Sequence, residues 1–129
     1  MRIFKTTWFD RFAAKEAISD DELRSVVNEL ETGQPDANLG GGVFKMRLAR
    51  PGAGKSGGYR VVVFFRAGER TFFVYGFAKS DRGNISRRQL AEFKNAAKIA
   101  FSYTDAQLDE RVKLKRYLEI EGVSHETVS

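Results

Sequence analysis

The sequence contains no cysteine, and it has one histidine, His125, which lies in the last five residues. The missing cysteine excludes disulfide bonds, thiolate metal sites and a cysteine nucleophile. A single histidine in a terminal tail leaves no zinc cluster and no Ser-His-Asp arrangement. No apolar run approaches the length of a membrane span, so we expect a soluble, cytoplasmic protein without membrane contact. If the protein is an enzyme, its reactive groups are lysine, arginine, tyrosine and the backbone.

The apolar content is ample and the charge is unevenly distributed. The 129 residues are 42% hydrophobic and include 11 phenylalanines, which predicts one domain over 1–129 with a real core and a flexible tail from about residue 122. Between Lys45 and Arg88 stand 11 basic and 2 acidic residues, so this segment carries a charge of +9, whereas the net charge of the whole chain is +5. Such a division predicts an anionic partner, with nucleic acid the leading candidate. The alternative is a basic surface that serves only solubility.

Hydrophobic periodicity predicts an α+β protein: a strand, a helical pair, a three-strand meander and further helices. The predicted elements are a strand over Arg2–Phe9, a short helical turn over Phe12–Ile18, a helix over 22–33, a loop over 34–42, strands over 43–49, 59–65 and 71–79, and a helix over 87–101. The last segment of the chain is ambiguous between helix and strand.

The stretch Ala49–Ser56, "ARPGAGKS", matches the loose consensus of a nucleotide-binding P-loop. That mechanism needs a helix directly after the loop, whose N-terminus aims backbone N–H groups at the phosphates. Here Gly57 and Gly58 follow and lead into a β run. We therefore expect a flexible, basic loop between two strands instead.

Basic side chains converge on one region of the predicted sheet. Lys45 and Arg47 share a face of one strand, Arg60 begins the next, and Lys79 ends its hairpin partner, while Tyr75 shares a face with Lys79. Fixed arginine and lysine donors suit RNA cleavage by the RNA's own 2′-hydroxyl, because the phosphorane transition state carries extra negative charge. This chemistry needs no protein nucleophile and no metal. The alternative is a set of ordinary cations at the edge of a sheet.

The motifs "KMRLARPGAGKSGGYRVVVFF" and "FFVYGFAKSDRGNIS", followed by a basic amphipathic helix, resemble the RelE/HigB-type toxins of bacterial type II toxin–antitoxin systems. The resemblance runs from about Arg2 to Phe101. It implies an α+β fold with a small, mostly antiparallel sheet and helices packed on one face. It also implies an endoribonuclease that cuts mRNA, often on the ribosome, without a metal or other cofactor. The implied partner is a cognate antitoxin, expected to be a helix-turn-helix DNA-binding protein.

Carried over by position, this resemblance assigns catalytic roles to Lys45, Arg47, Arg60 and Lys79. Neighbouring side chains are predicted to bind RNA: Arg50, Lys55, Tyr75, Arg82 and Arg87. Some relatives place a proton-transferring tyrosine where this chain has Ser86, so that role stays open between Tyr59, Tyr75, Tyr103 and a lysine. Two alternative functions also stay open: a ParE-like toxin that inhibits gyrase, and a non-catalytic RNA-binding module.

Overall fold

A computed structural model describes residues 1–50, 54–79 and 84–121 and confirms the α+β class. Within these residues the elements follow in the order β1 (Arg2–Thr6), α1 (Thr7–Lys15), α2 (Asp20–Glu31), β2 (Ala37–Gly40), β3 (Val43–Arg50), β4 (Gly54–Arg66), β5 (Arg70–Ala78), α3 (Arg87–Ser102), α4 (Asp105–Lys113) and β6 (Tyr117–Ile120). None of the helices in these ranges is long and apolar enough to cross a membrane.

The strands form one sheet in the order β2-β3-β4-β5-β1-β6. Only the β1–β5 pair is parallel, and the other neighbours in the sheet are antiparallel. The strands β4 and β5 take central places, as predicted from their apolar residues on both faces. Gly68, with a φ of 73°, lies in the tight turn that joins them, and it takes this left-handed conformation without the strain that a side chain would add.

Helices cover both faces of the sheet, so the prediction of helices on one face is wrong. Alternate residues of β4 enter two separate cores: Val61 and Val63 belong to one, Val62 and Phe64 to the other. The first core also contains Phe9 and Leu23 of α1 and α2, and the second contains Ala97 and Leu108 of α3 and α4. The physical reason lies in β4 itself. A strand that is apolar at every position must be covered on both sides.

The first strand is shorter than predicted, because Thr6 caps a helix. Its hydroxyl oxygen accepts a hydrogen bond from the backbone N–H of Phe9 at 3.1 Å, and α1 begins at Thr7. Residues 7–9, predicted as strand from their aromatic and β-branched content, are therefore helical. Capping and tertiary packing outweigh β propensity here.

Two predicted loops contain strand. Within 34–42, β2 pairs antiparallel with β3 through a bulge between Asn38 and Gly40. Within the glycine-rich stretch, β4 begins at Gly54, so a strand rather than a helix follows the P-loop-like motif. The ambiguous C-terminal segment holds both elements, α4 and then β6, which pairs with β1. The predicted flexible tail from residue 122 lies outside the described residues, as do residues 51–53.

The helices α2 and α3 confirm the sequence prediction, and each begins at a serine that forms a capping box. Ser19 exchanges hydrogen bonds with Glu22, and Ser86 does so with Gln89. Such reciprocal bonds satisfy two of the backbone donors that a helix start leaves free.

Candidate functional site

Three basic side chains occupy one face of the neighbouring strands β3 and β4. Arg47 lies directly opposite Arg60, and Lys45 lies opposite Val62. Residues opposite each other in an antiparallel ladder point to the same side, as do residues two apart in one strand. We call Lys45, Arg47 and Arg60 the cationic cluster. It lies on the face of the sheet where Val62 packs in one core with residues of α3 and α4.

Arg60 is the member of this cluster that the protein leaves unsatisfied. Its Nη1 is buried, and no residue in the described ranges accepts a hydrogen bond from it. Such a donor typically costs about 1–3 kcal/mol. Across the ladder it faces another arginine, Arg47, on one side and Phe77 on the other. The guanidinium is thus held beside a like charge and an apolar ring, an environment that an anion would improve.

Arg47 has an acidic partner that the sequence pattern does not reveal. Asp36, just before β2, accepts a hydrogen bond from the backbone N–H of Arg47 at 2.5 Å, and its other carboxylate oxygen lies 3.4 Å from Arg47 Nη2. The Arg47 side chain remains 47% exposed. Asp36 therefore holds the backbone of Arg47 in place, while much of the Arg47 side chain remains accessible to solvent. It lies outside the basic segment, in a region predicted to be loop.

Lys45 is tied to the segment that leads into α3. Its Nζ donates a hydrogen bond to Asn84 Oδ1 at 2.9 Å, and the same oxygen accepts from the backbone N–H of Ile85 at 2.8 Å. Ser86, two residues later, caps α3. The contact between Lys45 and Asn84 brings the start of α3 to the cationic cluster.

Lys79 lies at the same end of the sheet as Arg60, as predicted. It follows β5 directly, and its backbone N–H donates to the carbonyl of Gly58 at 3.1 Å, two residues before Arg60. Its side chain is exposed, as is that of Arg87, the first residue of α3. The other predicted RNA-binding residues cannot be placed in this way: the side chains of Arg50 and Lys55, and the whole of Arg82, lie outside the described part of the chain.

The three candidate tyrosines lie in different places. Tyr75 is opposite Val62 and shares the face of the cationic cluster. Tyr59 points to the opposite face, where its hydroxyl donates to Glu16 Oε1 at 2.8 Å. Tyr103 follows α3, and its carbonyl accepts from Arg70, at the far end of β5 from Lys79. A strand of 9 residues spans about 30 Å, so Tyr103 is far from the cluster.

The described ranges contain no group of three or more histidine, aspartate or glutamate residues that could hold a metal ion.

This arrangement defines an α+β protein with a cluster of cations on one face of its sheet, in which the buried Nη1 of Arg60 has no acceptor in the described residues. Residues 1–120 match the family model described as RelE toxin of the RelE/RelB toxin–antitoxin system. The match covers nearly the whole chain, so the protein belongs to the RelE family and is a toxin of a toxin–antitoxin system. Members of this family are generally ribonucleases, and the toxin's partner is an antitoxin. The resemblance found in the sequence is confirmed.

Proposed function

We propose that this toxin is an endoribonuclease that cleaves mRNA, on the ribosome, by attack of the RNA's own 2′-hydroxyl. The observation that carries the proposal is the pairing of Arg47 and Arg60 across β3 and β4, with Arg60 Nη1 buried and without an acceptor in the described residues. In the proposed complex, a scissile phosphate supplies the hydrogen-bond acceptor that Arg60 Nη1 lacks in the described residues. Arginine suits this task because its planar fork donates two parallel hydrogen bonds to phosphate oxygens and stays charged.

In the proposed reaction the 2′-oxygen bonds to phosphorus and the bond from phosphorus to the 5′-oxygen breaks. The 2′-hydroxyl loses a proton and the departing 5′-oxygen gains one, so the products are a 2′,3′-cyclic phosphate and a 5′-hydroxyl. Negative charge grows on the phosphorane between these steps, and Arg60 and Arg47 stabilise it more than they stabilise the bound substrate. No metal or cofactor takes part.

The proton transfers fall to residues around the same phosphate. We assign them to Lys45 and Lys79, with Tyr75 available on the same face. The hydrogen bond to Asn84 orients the Lys45 ammonium. The remaining contacts with RNA belong to Tyr75, Arg87 and the other predicted RNA-binding residues: Arg50, Lys55 and Arg82.

The regulation we propose follows the toxin–antitoxin class. The cognate antitoxin is a helix-turn-helix protein that binds the toxin and represses their shared operon. A neighbouring reading frame that encodes such a protein, and its co-purification with the toxin, would test this part independently of the chemistry.

The decisive experiment incubates purified toxin with end-labelled RNA, free and on programmed ribosomes, with and without EDTA. We expect cleavage that EDTA does not affect and fragments that end in a 2′,3′-cyclic phosphate. Arg60→Ala should reduce the rate about 10²–10³-fold, the usual effect of removing one donor to a developing charge. Lys98→Ala, which removes an exposed cation of α3, serves as the matched control.

Full activity of Arg60→Ala would overturn the assignment of the site. Intact transcripts together with DNA damage in cells that express the toxin would replace the nuclease with a gyrase inhibitor. Salt-dependent RNA binding without any cleavage would replace it with a non-catalytic RNA-binding module.

A further inference from the structure

A cavity of about 490 Å³ lies at the edge of β5, against one face of α1. The strand β1 pairs with β5 only as far as Lys5 and Phe73, and the chain then turns into α1. No strand in the described residues pairs with the rest of β5 on that side. The cavity is lined by residues 75–78 of β5 and by α1 residues three or four apart: Trp8, Arg11, Phe12 and Lys15.

An exposed tryptophan forms one wall of this cavity. Trp8 is the only tryptophan of the chain, and it is 46% exposed. Its ring lies 4.8 Å from that of Tyr75 at an interplanar angle of 27°, and 5.6 Å from that of Phe12 at 12°. Stacked neighbours hold the indole in place while its open part faces solvent. Fixed aromatic rings of this kind are the platforms on which proteins stack unpaired nucleic-acid bases.

Two exposed cations flank the tryptophan. Arg11 and Lys15 are four residues apart on α1, a spacing at which like charges destabilise a helix. Neither forms an ion pair within the ranges that the structure describes, whereas Lys5 pairs with both Asp10 and Asp20. One carboxylate also lines the cavity, that of Glu16, which accepts the hydroxyl hydrogen of Tyr59. The lining therefore keeps a net positive charge that an anionic group would neutralise.

A glycine allows the helix to lie this close to the strand. A side-chain carbon added to Gly76 would stand 2.4 Å from the Phe12 ring, far inside contact distance. The cavity floor thus depends on a residue without a side chain. The next residue, Phe77, lines the cavity and is the cross-strand partner of Arg60. The cavity therefore lies one strand away from the cationic cluster at this residue.

We propose that this cavity binds an unpaired nucleotide of the RNA substrate, next to the scissile phosphate. The base stacks on Trp8, and Arg11 and Lys15 bind the adjoining phosphate. This inference rests on the proposed function for its ligand, and it assigns to α1 a part in RNA binding. The combination of an exposed indole and two unpaired cations favours single-stranded RNA over a protein partner, because it matches a ligand with alternating rings and negative charges.

The test uses Trp8 as its own reporter. Toxin is titrated with a short 2′-O-methyl oligoribonucleotide, which cannot be cleaved by 2′-hydroxyl attack, and tryptophan fluorescence is recorded. We expect quenching on binding, and an increase in Kd of about tenfold or more for the double variant Arg11→Ala/Lys15→Ala, measured by anisotropy of a labelled RNA. Loss of the contact with this phosphate should also reduce the magnitude of the slope of log K against log salt by about 0.7. Lys98→Ala should change neither quantity appreciably.

Trp8→Phe keeps an aromatic ring and should bind within a few-fold of wild type, whereas Trp8→Ala should bind much more weakly. Thermal unfolding of each variant identifies any that fails to fold, and the double variant and Trp8→Phe still decide the matter if Trp8→Ala is lost. An unchanged Kd and salt slope in the double variant would overturn the proposal. If Arg60→Ala nevertheless abolishes cleavage, the proposed nuclease activity is retained and only the nucleotide-binding cavity is ruled out.

Wild-type toxin that binds and is quenched but leaves cleavable RNA intact would overturn the nuclease and keep the nucleotide site. A double variant that binds RNA normally but no longer binds the antitoxin would assign the surface to the protein partner and overturn the proposal.

Discussion

Replacing Arg60 with methionine should make the protein more stable while it removes activity. The Arg60 Nη1 is buried without an acceptor in the described residues, and relieving such a donor is worth about 1–3 kcal/mol. Methionine keeps the apolar stem that packs beside Phe77. The repulsion from Arg47 adds only a few tenths of a kcal/mol, because that side chain is 47% exposed and lies near Asp36.

We therefore expect the free energy of unfolding to rise by about 1–2 kcal/mol. For a domain of this size that corresponds to an increase in Tm of roughly 3–8 °C. Urea denaturation followed by Trp8 fluorescence, without RNA, gives the free energy, and calorimetry gives Tm. Cleavage or RNA binding is measured on the same preparation.

Arg2→Met is the matched control, since it removes an arginine that has its partners. Arg2 binds both carboxylate oxygens of Glu119, at 2.8 and 2.9 Å, and Asp109 at 2.8 Å. The hydrogen bonds to Glu119 above all raise the pKa of Arg2. Its loss should destabilise the protein by about 2 kcal/mol, the scale of hydrogen bonds to charged groups. Should Arg60→Met be less stable than wild type by more than about 0.5 kcal/mol, Arg60 would be a structural residue and our reasoning on the cluster would fail.

Three further predictions concern the elements around the site. Gly76→Ala should lower the free energy of unfolding by about 1–3 kcal/mol, because the added methyl group overpacks against Phe12. In the double variant with Phe12→Ala this clash is absent, so the loss of stability should be smaller than the sum of the two single losses. Additive losses in urea denaturation would argue against the close contact. Ser86→Ala should cost about 1 kcal/mol by removing the α3 cap, and unchanged urea stability would contradict that role. Stability should fall as pH rises above about 10: burial raises the pKa of Tyr117 above its ordinary 10.0, and the pKa of Lys5, which burial alone would lower, is raised above 10.5 by hydrogen bonds to two aspartates. Both groups hold their protons more tightly when folded, so their contribution is full below the unfolded pKa values and is lost above them; Tyr117→Phe should flatten the fall, and an identical pH profile would refute this.

Elements with strong local signals could be predicted from the sequence. The helix α2 has its cap at Ser19 and an apolar stripe of i, i+3, i+4 spacing that the structure buries. The hairpin of β4 and β5 has two apolar runs and a short turn with Gly68. The strands β2 and β6 have only 4 residues each. β2 forms a short, bulged hairpin with β3, the next strand in the chain, whereas β6 pairs with β1 at the other end of the chain. Strands this short carry too little periodicity for the sequence to reveal either pairing.

The site divides in the same way. The shared face of Lys45 and Arg47 follows from the period of two, which the sequence shows. That Arg60 lies on the same face depends on the register of β3 and β4, which shifts between Leu48 and Arg50 and which the sequence does not show. Asp36 and Asn84 join the cluster only because β2 and the start of α3 pack beside β3. The cavity at Trp8 depends on where β1 ends. The sequence prediction ends this strand 3 residues too late, because Thr6 caps α1. The face of α1 that lines the cavity therefore could not be inferred from the sequence.

Arg2 joins β1 to α4 and β6 through carboxylates, whereas the buried Nη1 of Arg60 has no acceptor in the described residues. Salt should therefore separate stability from RNA binding. If the cationic cluster and Lys79 neutralise the scissile phosphate and the other predicted RNA-binding cations neutralise three more, log K should fall with log salt at a slope of about −2.8, a loss of several hundred-fold for a tenfold rise. Over the same range, screening weakens the exposed ion pairs and relieves repulsion within the cluster, so Tm should shift by only a few degrees. Anisotropy titrations and thermal unfolding between about 0.05 and 0.5 M salt measure both. A Tm that falls by more than about 10 °C while RNA affinity stays constant would contradict this. It would mean that the cations of the cluster stabilise the fold and do not bind a phosphodiester.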